Sequence, residues 1–598
     1  MYISRIAEPP EKQMKVESLT LSKRQTFSMA TDLPQINSVH NLLYEKIAKY
    51  VIQDTRPVNV VKESGFRDLI ETLSPSSIIP EPHGLLDFIK SWYLACQFQL
   101  QLLVNKAVYG DGKVALAASL CEYSENHCLS LSIHFLTTSW KCMHYTLAVA
   151  ILPSDYGSKH VVDCILDIIA KYEIPGSAVV ALVNDGNEKL ISAARDLFHL
   201  VGWKTVTCGG HVLKSVVSKA LKANAEVVDV IKKAENLVRF IKTNEFLVDV
   251  LENKQSDNEI ISKLQTHEPF CWKSTFEMMQ CLADHRWIIA SIFKEHSYTS
   301  VTAGSDSFQS VDLCHSEWEL LHQMVELLKP FEAAAAFFLR KTFPSVSAYP
   351  MLISGLERYT RQRSESKDET GGISPPGAGQ VDGVFSSKRQ FCPAVEDVRK
   401  LVHRELTQCC DFDVSAVETV AAALDPRFSK LKHLKRSDKT AVQGVITALC
   451  DPRPPSALSS SVDNSLTEDD GRVIDSLLGI SGGETNIWSS SSDDEDGEIS
   501  DEVSRYFRTK VSDKNINPLE WWKQKESSFP SLAKLAKQRL CIPATSAPSQ
   551  LVFTSLGLRL SKLRSCLEPE NLDMLVFLHD NESLMRPRET YEQEDVTL

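Results

Sequence analysis

The sequence has no run of 18 apolar residues, so nothing in it reads as a membrane span. It has no C-x-x-C, which removes the usual paired ligands of a structural zinc ion. Its first residues, MYISRIAEPPEKQMK, have no apolar core and do not read as a signal peptide. The 15 cysteines lack the spacing of a disulfide framework, and an odd count would leave one over. They read as reduced thiols of a nuclear or cytosolic protein. The first 45 residues hold no cysteine and a single histidine, His40, so no zinc finger is expected there.

What is present is ordinary globular composition: 598 residues, 43% hydrophobic and 24% charged. That length suggests two to four domains, or one with large insertions. The net charge of −13 argues against nucleic acid until its distribution is read. Residues 484–503 carry eight acids and no base; without them the balance is −5. The remainder can therefore carry a basic face.

Along the chain, 1–35 is polar and reads as disordered, and 36–112 reads as an opening helical domain. The period then changes. KVALAASL (113–120), CLSLSIHFL (128–136) and HYTLAVAIL (144–152) read as strands. A helix (159–174), a strand ending in Asp-Gly (177–186), a second helix and the strand KTVTC follow. The order β-β-β-α-β-α-β is that of the ribonuclease H-like fold, here over 113–225. Residues 226–450 read as a helical insertion, interrupted by a Gly/Pro/Ser-rich loop at 362–392. An acidic, Ser-rich linker spans 451–503, helices fill 504–580 and a tail covers 581–598.

Several blocks carry a resemblance. LVNDGNEKLISAAR (182–195), CGGHVLKSVV (208–217), CWKSTF (271–276), ALDPRFSKLKHL (423–434) and the stretch from NPLEWW (517–522) through PSQLVF (548–553) are similar to motifs of hAT-superfamily transposases. The similarity is to members domesticated as BED zinc-finger proteins. It implies an α/β fold: a ribonuclease H-like domain with a large all-helical insertion and a C-terminal hAT dimerisation region. Residues 545–580 would return to complete the domain.

The family site brings three acids to two divalent metals, and the resemblance places those acids one by one. The first falls on Ser119, the second on Asp185 and the third on Gln550. Two of the three are neutral acceptors here and cannot supply the charge that magnesium needs. The expectation is a degenerate site with no catalysis and no cofactor. Asp185 then reads as a turn or helix-cap residue.

Other residues have two readings each. Cys208 and His211 form a weak candidate metal pair, or pack as a core thiol and a hydrogen-bonded ring. Trp272 packs in the core, or stacks on a base. Lys534, Lys537 and Arg539, with Arg559, Lys562 and Arg564, make two basic helical faces that stay solvated or contact phosphates. Trp521, Trp522, Leu560, Leu563, Leu567, Leu572, Leu575 and Val576 are the dimerisation candidates, a stripe that could also be intrachain core. The expected partners are a second copy of the chain, DNA or chromatin, and nuclear regulatory proteins. No membrane and no small-molecule substrate is expected. The implied role is a dimeric nuclear regulator of transcription. The alternative is a scaffold that dimerises without touching DNA.

Overall fold

The structure is a computed structural model. It describes residues 39–248, 272–297, 312–338, 346–361, 391–450, 498–546 and 569–585, with gaps at 76–77, 110–111, 124–125, 245–246, 411, 510 and 512–515. The described chain is mixed α/β, mostly helical, and falls into two units, 106–554 and 1–105 with 555–598.

The larger unit holds one five-stranded sheet. Its strands are β1 (Val114–Tyr123), β2 (Asn126–Leu136), β3 (Cys142–Leu152), β4 (Val179–Asn184) and β5 (Lys204–Thr207), in the order β3-β2-β1-β4-β5. β1, β2 and β3 pair antiparallel, and β4 joins β1 and β5 in parallel. The element order read from the sequence is the observed one; the hairpin strands only run a few residues longer than the apolar runs. Parallel pairing of β4 and β5 requires a crossover, and α5 (Glu188–Val201) supplies it. Leu190, Ala193, Ala194 and Leu197 form the buried stripe of α5. α4 (Ser158–Lys171) packs beside it and against β3.

One sheet face is lined by small side chains: Ala115, Ala117, Ala181, Ser130 and Ser132 are all buried there. Small residues let helices approach closely. Onto this face fold two later helices rich in alanine, Val417–Leu424 and Pro530–Leu540, whose Ala421, Ala422, Ala423, Ala533 and Ala536 join the same core. Ser132 and His134 on this face are satisfied locally. Ser132 Oγ donates to Ala117 O at 3.3 Å and bonds His134 Nε2 at 3.2 Å. His134 also stacks on His144 at 6.2 Å. Burial, then the neighbouring His144, holds the His134 ring down at about 3.

A second core is wholly helical. α6 (Gly209–Ala223), α7 (Ala225–Thr243), α8 (Trp272–Ser297), α9 (His315–Phe338), α10 (Tyr349–Thr360) and α11 (Pro393–Cys409) bury Leu213, Trp272, Leu321, Phe331, Ile353 and Val402 together. This core does not follow the expected boundaries of the insertion, 226–450: Gly209–Ala223 belongs to it, whereas Val417–Leu424 and Arg436–Cys450 join the core of the sheet.

The end of α12 (Val417–Leu424) is buried, so its terminal carbonyls need partners. Tyr506 Oη donates to Ala423 O at 3.0 Å and Trp522 Nε1 to Leu424 O at 2.8 Å. The next residue, Asp425, is fully buried and accepts from Ser347 Oγ at 2.7 Å. It also accepts from Arg427 Nε at 2.9 Å and from the Arg427 terminal nitrogen at 2.7 Å. Tyr506 lies on α14 (Glu498–Arg508) and Trp522 on α15 (Pro518–Lys525), which with α16 (Pro530–Leu540) share the core of the sheet. α13 (Arg436–Cys450) lies between α12 and α14 in sequence and packs on both.

The smaller unit joins α1 (Val39–Gln53), α2 (Ser64–Leu73) and most of α3 (Pro82–Val108) to α17 (Pro569–Asp580). Tyr93 on α3 donates to Asp573 at 2.6 Å and packs edge-on against Phe577 at 5.1 Å. This corrects the expectation that all of 545–580 completes the sheet domain. α17 presents Leu572, Leu575, Val576 and Phe577 to the N-terminal helices, which bury them. The leading segment 1–35 and nearly all of the loop 362–392 and of the linker 451–503 lie outside the described residues.

Replacing Arg427 by Met would strand the Asp425 carboxylate without its charge partner. The expected loss is about 3–5 kcal/mol, read as a lower urea midpoint; a change below about 1 kcal/mol would mean the pair anchors nothing. The His134 ring titrates at about 3 in the fold against 6.5 unfolded. The stability it contributes is present above the unfolded value and is lost as pH falls from 6.5 towards 3. Between pH 7 and pH 5 that loss is about 2 kcal/mol. Denaturation at both pH values, in wild type and His134→Gln, should show a smaller drop in the variant.

Candidate functional site

The parallel register pairs Ala117 with Val183, so two residues further along each strand Ser119 and Asp185 come side by side on one face. Ser119 is fully buried and Asp185 nearly so. Both carboxylate oxygens of Asp185 accept backbone hydrogens. Oδ2 takes Leu120 N at 2.6 Å and Oδ1 takes Asn187 N at 2.9 Å. The first bond crosses to β1 and the second closes a turn on itself. The helix cap is another residue: Asn187 accepts from Lys189 N at 3.0 Å to start α5. Of the two local readings of Asp185, the turn is the one the geometry bears out. Gly186 between them has φ +81°, where a side chain would be strained. Asn184 completes the group by donating to Val206 O at 3.1 Å.

Cys208 and His211 sit against this turn. Cys208 N donates to Asn184 O at 2.8 Å, and the His211 Cβ lies 3.9 Å from where a Gly186 Cβ would be. Cys208 is the N-cap position of α6. Its sulfur contacts Thr545 Oγ1 at 3.3 Å and the Ser546 N–H at 3.4 Å. Burial pushes the Cys208 thiol up. The His211 ring, then Thr545 and Ser546, outweigh burial and bring it to about 7. The strap after α16 is held further by Gly209 N donating to Ala544 O at 2.8 Å. The pair is thus completed by a hydroxyl and an amide, which are hydrogen-bonding groups and not metal ligands. Among the described residues no group of three or more His, Cys, Asp or Glu could hold a metal ion.

The remaining candidates separate. Trp272 is buried in the helical core, so its ring has no face for a base. Lys534 is exposed. Lys537 pairs with Glu526 at 2.6 Å, donates to Thr138 O at 3.2 Å and lies 4.6 Å from the Trp140 ring centre. The Arg539 Nε is buried, and burial lowers its pKa. The expected basic face of three is therefore reduced to one exposed cation, because α16 turns that side onto the sheet. Gln550, Arg559, Lys562, Arg564, Leu560, Leu563 and Leu567 lie outside the described residues.

Trp521, Trp522, Leu572, Leu575 and Val576 are all buried within one chain. Trp522 stacks on Trp140 at 6.2 Å and on Tyr506 at 5.3 Å. Trp140, with φ +66°, is held there by its Nε1 bond to Glu526 at 2.8 Å. These five side chains are core, so they offer no exposed dimer face. No local pattern marks Thr545 and Ser546; their role comes from contact with Cys208, more than 330 residues earlier.

Residues 502–582 match the family model of the hAT family C-terminal dimerisation region. The chain is homologous to BED zinc-finger proteins across most of its length. Human zinc finger BED domain-containing protein 4 is 21% identical over 560 residues, which is 90% of this chain and 43% of that protein. Rice zinc finger BED domain-containing protein RICESLEEPER 3 is 20% identical over 567 residues, 89% of this chain and 69% of the relative. The Hobo transposase of Drosophila melanogaster is 43% identical over a short 54-residue stretch, 8% of its length. The chain spans less than half of the human relative. The hAT dimerisation region contains the aromatic donors of α14 and α15, the α16 cover of the sheet, and α17.

Asp185→Ala removes two backbone bonds to a charged acceptor, worth about 1.5–3 kcal/mol each at most. The expected result is a stability loss of about 3 kcal/mol. Magnesium or manganese at millimolar concentration should leave the melting temperature of the wild type unchanged. A manganese-dependent rise that Asp185→Ala abolishes would mean the carboxylate still binds metal.

Proposed function

We propose that the chain is a domesticated, catalytically inactive derivative of a hAT transposase, built on a ribonuclease H-like domain. It acts as a dimer in the nucleus, as a DNA- or chromatin-associated regulator of transcription. The observation that carries the loss of catalysis is the Asp185 carboxylate, spent on Leu120 N and Asn187 N beside a serine at position 119. Two-metal phosphoryl chemistry needs several carboxylates with free oxygens converging on one point. Here the remaining carboxylate is an internal brace. The sheet order, with three antiparallel strands followed by parallel β4 and β5, supports the ribonuclease H-like assignment. The matched hAT region supports self-association. Homology to BED zinc-finger proteins supports the nuclear regulatory role.

The second reading, a scaffold that dimerises without contacting DNA, is favoured by the fate of Lys537 and Arg539 and by the net charge of −13. Three measurements separate the readings. Sedimentation at micromolar concentration should give a dimer; a monomer there would remove self-association. Incubation of plasmid and hairpin DNA with magnesium or manganese should give no cleavage; cutting that Asp185→Asn abolishes would restore the enzyme. Anisotropy with a mixed-sequence duplex should show micromolar or tighter binding at low salt; none would leave the scaffold. Because Leu575 and Val576 are core, Asp at these positions should unfold the smaller unit, seen as lost helical signal, instead of yielding folded monomers.

A further inference from the structure

The segment RFSKLKHLKRSDK, 427–439, carries six bases and one acid in a chain that is acidic overall. Its backbone is pinned from both ends. Arg427 is locked to Asp425, and Phe428 and Leu431 are buried. Phe428 N to Asp425 O at 2.9 Å, Leu431 N to Phe428 O at 2.8 Å and Leu434 N to Leu431 O at 3.0 Å make three successive turns. Leu431 takes a left-handed φ of +43° to reach the core. With the apolar side chains pointing in, Lys430, Lys432, Lys435 and Arg436 are exposed. Among the described residues no carboxylate pairs with Lys430, Lys435 or Arg436. Half-buried Lys439 lines a shallow concavity with Ser429, Lys430, Leu431, Gln443 and Phe507. The local positive field is felt by two different groups. Burial, then the Lys432 charge, lowers the Lys439 pKa. Burial, then Lys439 and Arg358, lowers the His433 ring to about 4.

We infer that this turn segment is a docking surface for the phosphate backbone of a nucleic acid, with Lys430, Lys432, Lys435, Arg436 and Lys439 as the contacting cations. The inference rests on the DNA-associated reading above and locates its contact surface. Four of the five cations are lysines. Lysine is a compact point charge on a flexible stem, which suits a row of phosphates contacted without a fixed orientation. Point-charge contacts to phosphates carry no sequence information, so binding through these cations should be independent of sequence. It also differs from the basic face expected on α16.

The test is fluorescence anisotropy of the full chain with a mixed-sequence DNA duplex, titrated across salt. The variant is K430Q/K432Q/K435Q/R436Q, and the control is K159Q/K204Q/K214Q/K523Q, which removes four exposed cations elsewhere. All proteins are first matched for melting temperature; should the quadruple variant melt early, the pairs K430Q/K432Q and K435Q/R436Q replace it. The expected result is at least tenfold weaker binding in the variant and less than twofold change in the control. The slope of log affinity against log salt should become shallower by roughly 3–4, at about 0.9 per lost phosphate contact. Equal binding by wild type and variant would overturn the inference and leave the DNA-associated reading standing. No binding by wild type at low salt would overturn both. Loss of binding to a polyglutamate peptide in the variant, with DNA affinity unchanged, would assign the surface to an acidic protein and overturn the inference.

Discussion

The buried pair between Asp425 and Arg427 is the interaction on which the larger unit depends. A fully buried carboxylate is tolerable only when its charge is matched and it is hydrogen-bonded. The Arg427 guanidinium supplies two bonds, its backbone N–H a third and Ser347 a fourth. Around it, the carbonyls that end α12 are closed by Tyr506 and Trp522, which belong to the hAT dimerisation region. The same few residues therefore fasten the alanine-rich helices to the small-residue face of the sheet. They also set the turns that carry the basic segment outward.

The Asp185 turn obeys the same accounting of buried polar groups. Asp185 sits where a metal-binding acid is expected by resemblance, and each of its oxygens accepts one backbone donor. A serine neighbour adds no negative charge, so nothing opposes that arrangement. Cys208 and His211 lie against the turn, and the strap at 544–546 closes over the sulfur. The result is a packed junction between β4, α6 and the C-terminal strap. The polar residues there hold chain segments together by hydrogen bonds.

Much of the fold was legible in the sequence. The apolar runs at 113–120, 128–136 and 144–152 mark the three hairpin strands, because a short apolar run bounded by turns has few other stable forms. The amphipathic stripe of α5 and the Asn-Asp-Gly-Asn turn were equally readable, since their geometry is decided by neighbours in the chain. Less of the site was legible. Lysines and an arginine on a helix read as a solvent face, and periodicity cannot tell which side of α16 meets the sheet. Trp521 and Trp522 read either as dimerisation candidates or as helix-packing residues, and sequence alone does not separate the two because a tryptophan serves both.

The sequence by itself determined the strand and helix order, the dimerisation region and the neutral residue at position 119. These are properties of local pattern and of single side chains. Only the tertiary structure decided that Asp185 braces β1, that Lys537 and Arg539 are consumed beneath α16, and that Leu572, Leu575 and Val576 fill the smaller unit's core. The reason is the same in each case. A side chain's availability depends on which distant groups come to rest against it, and that is set by the burial of surfaces hundreds of residues apart.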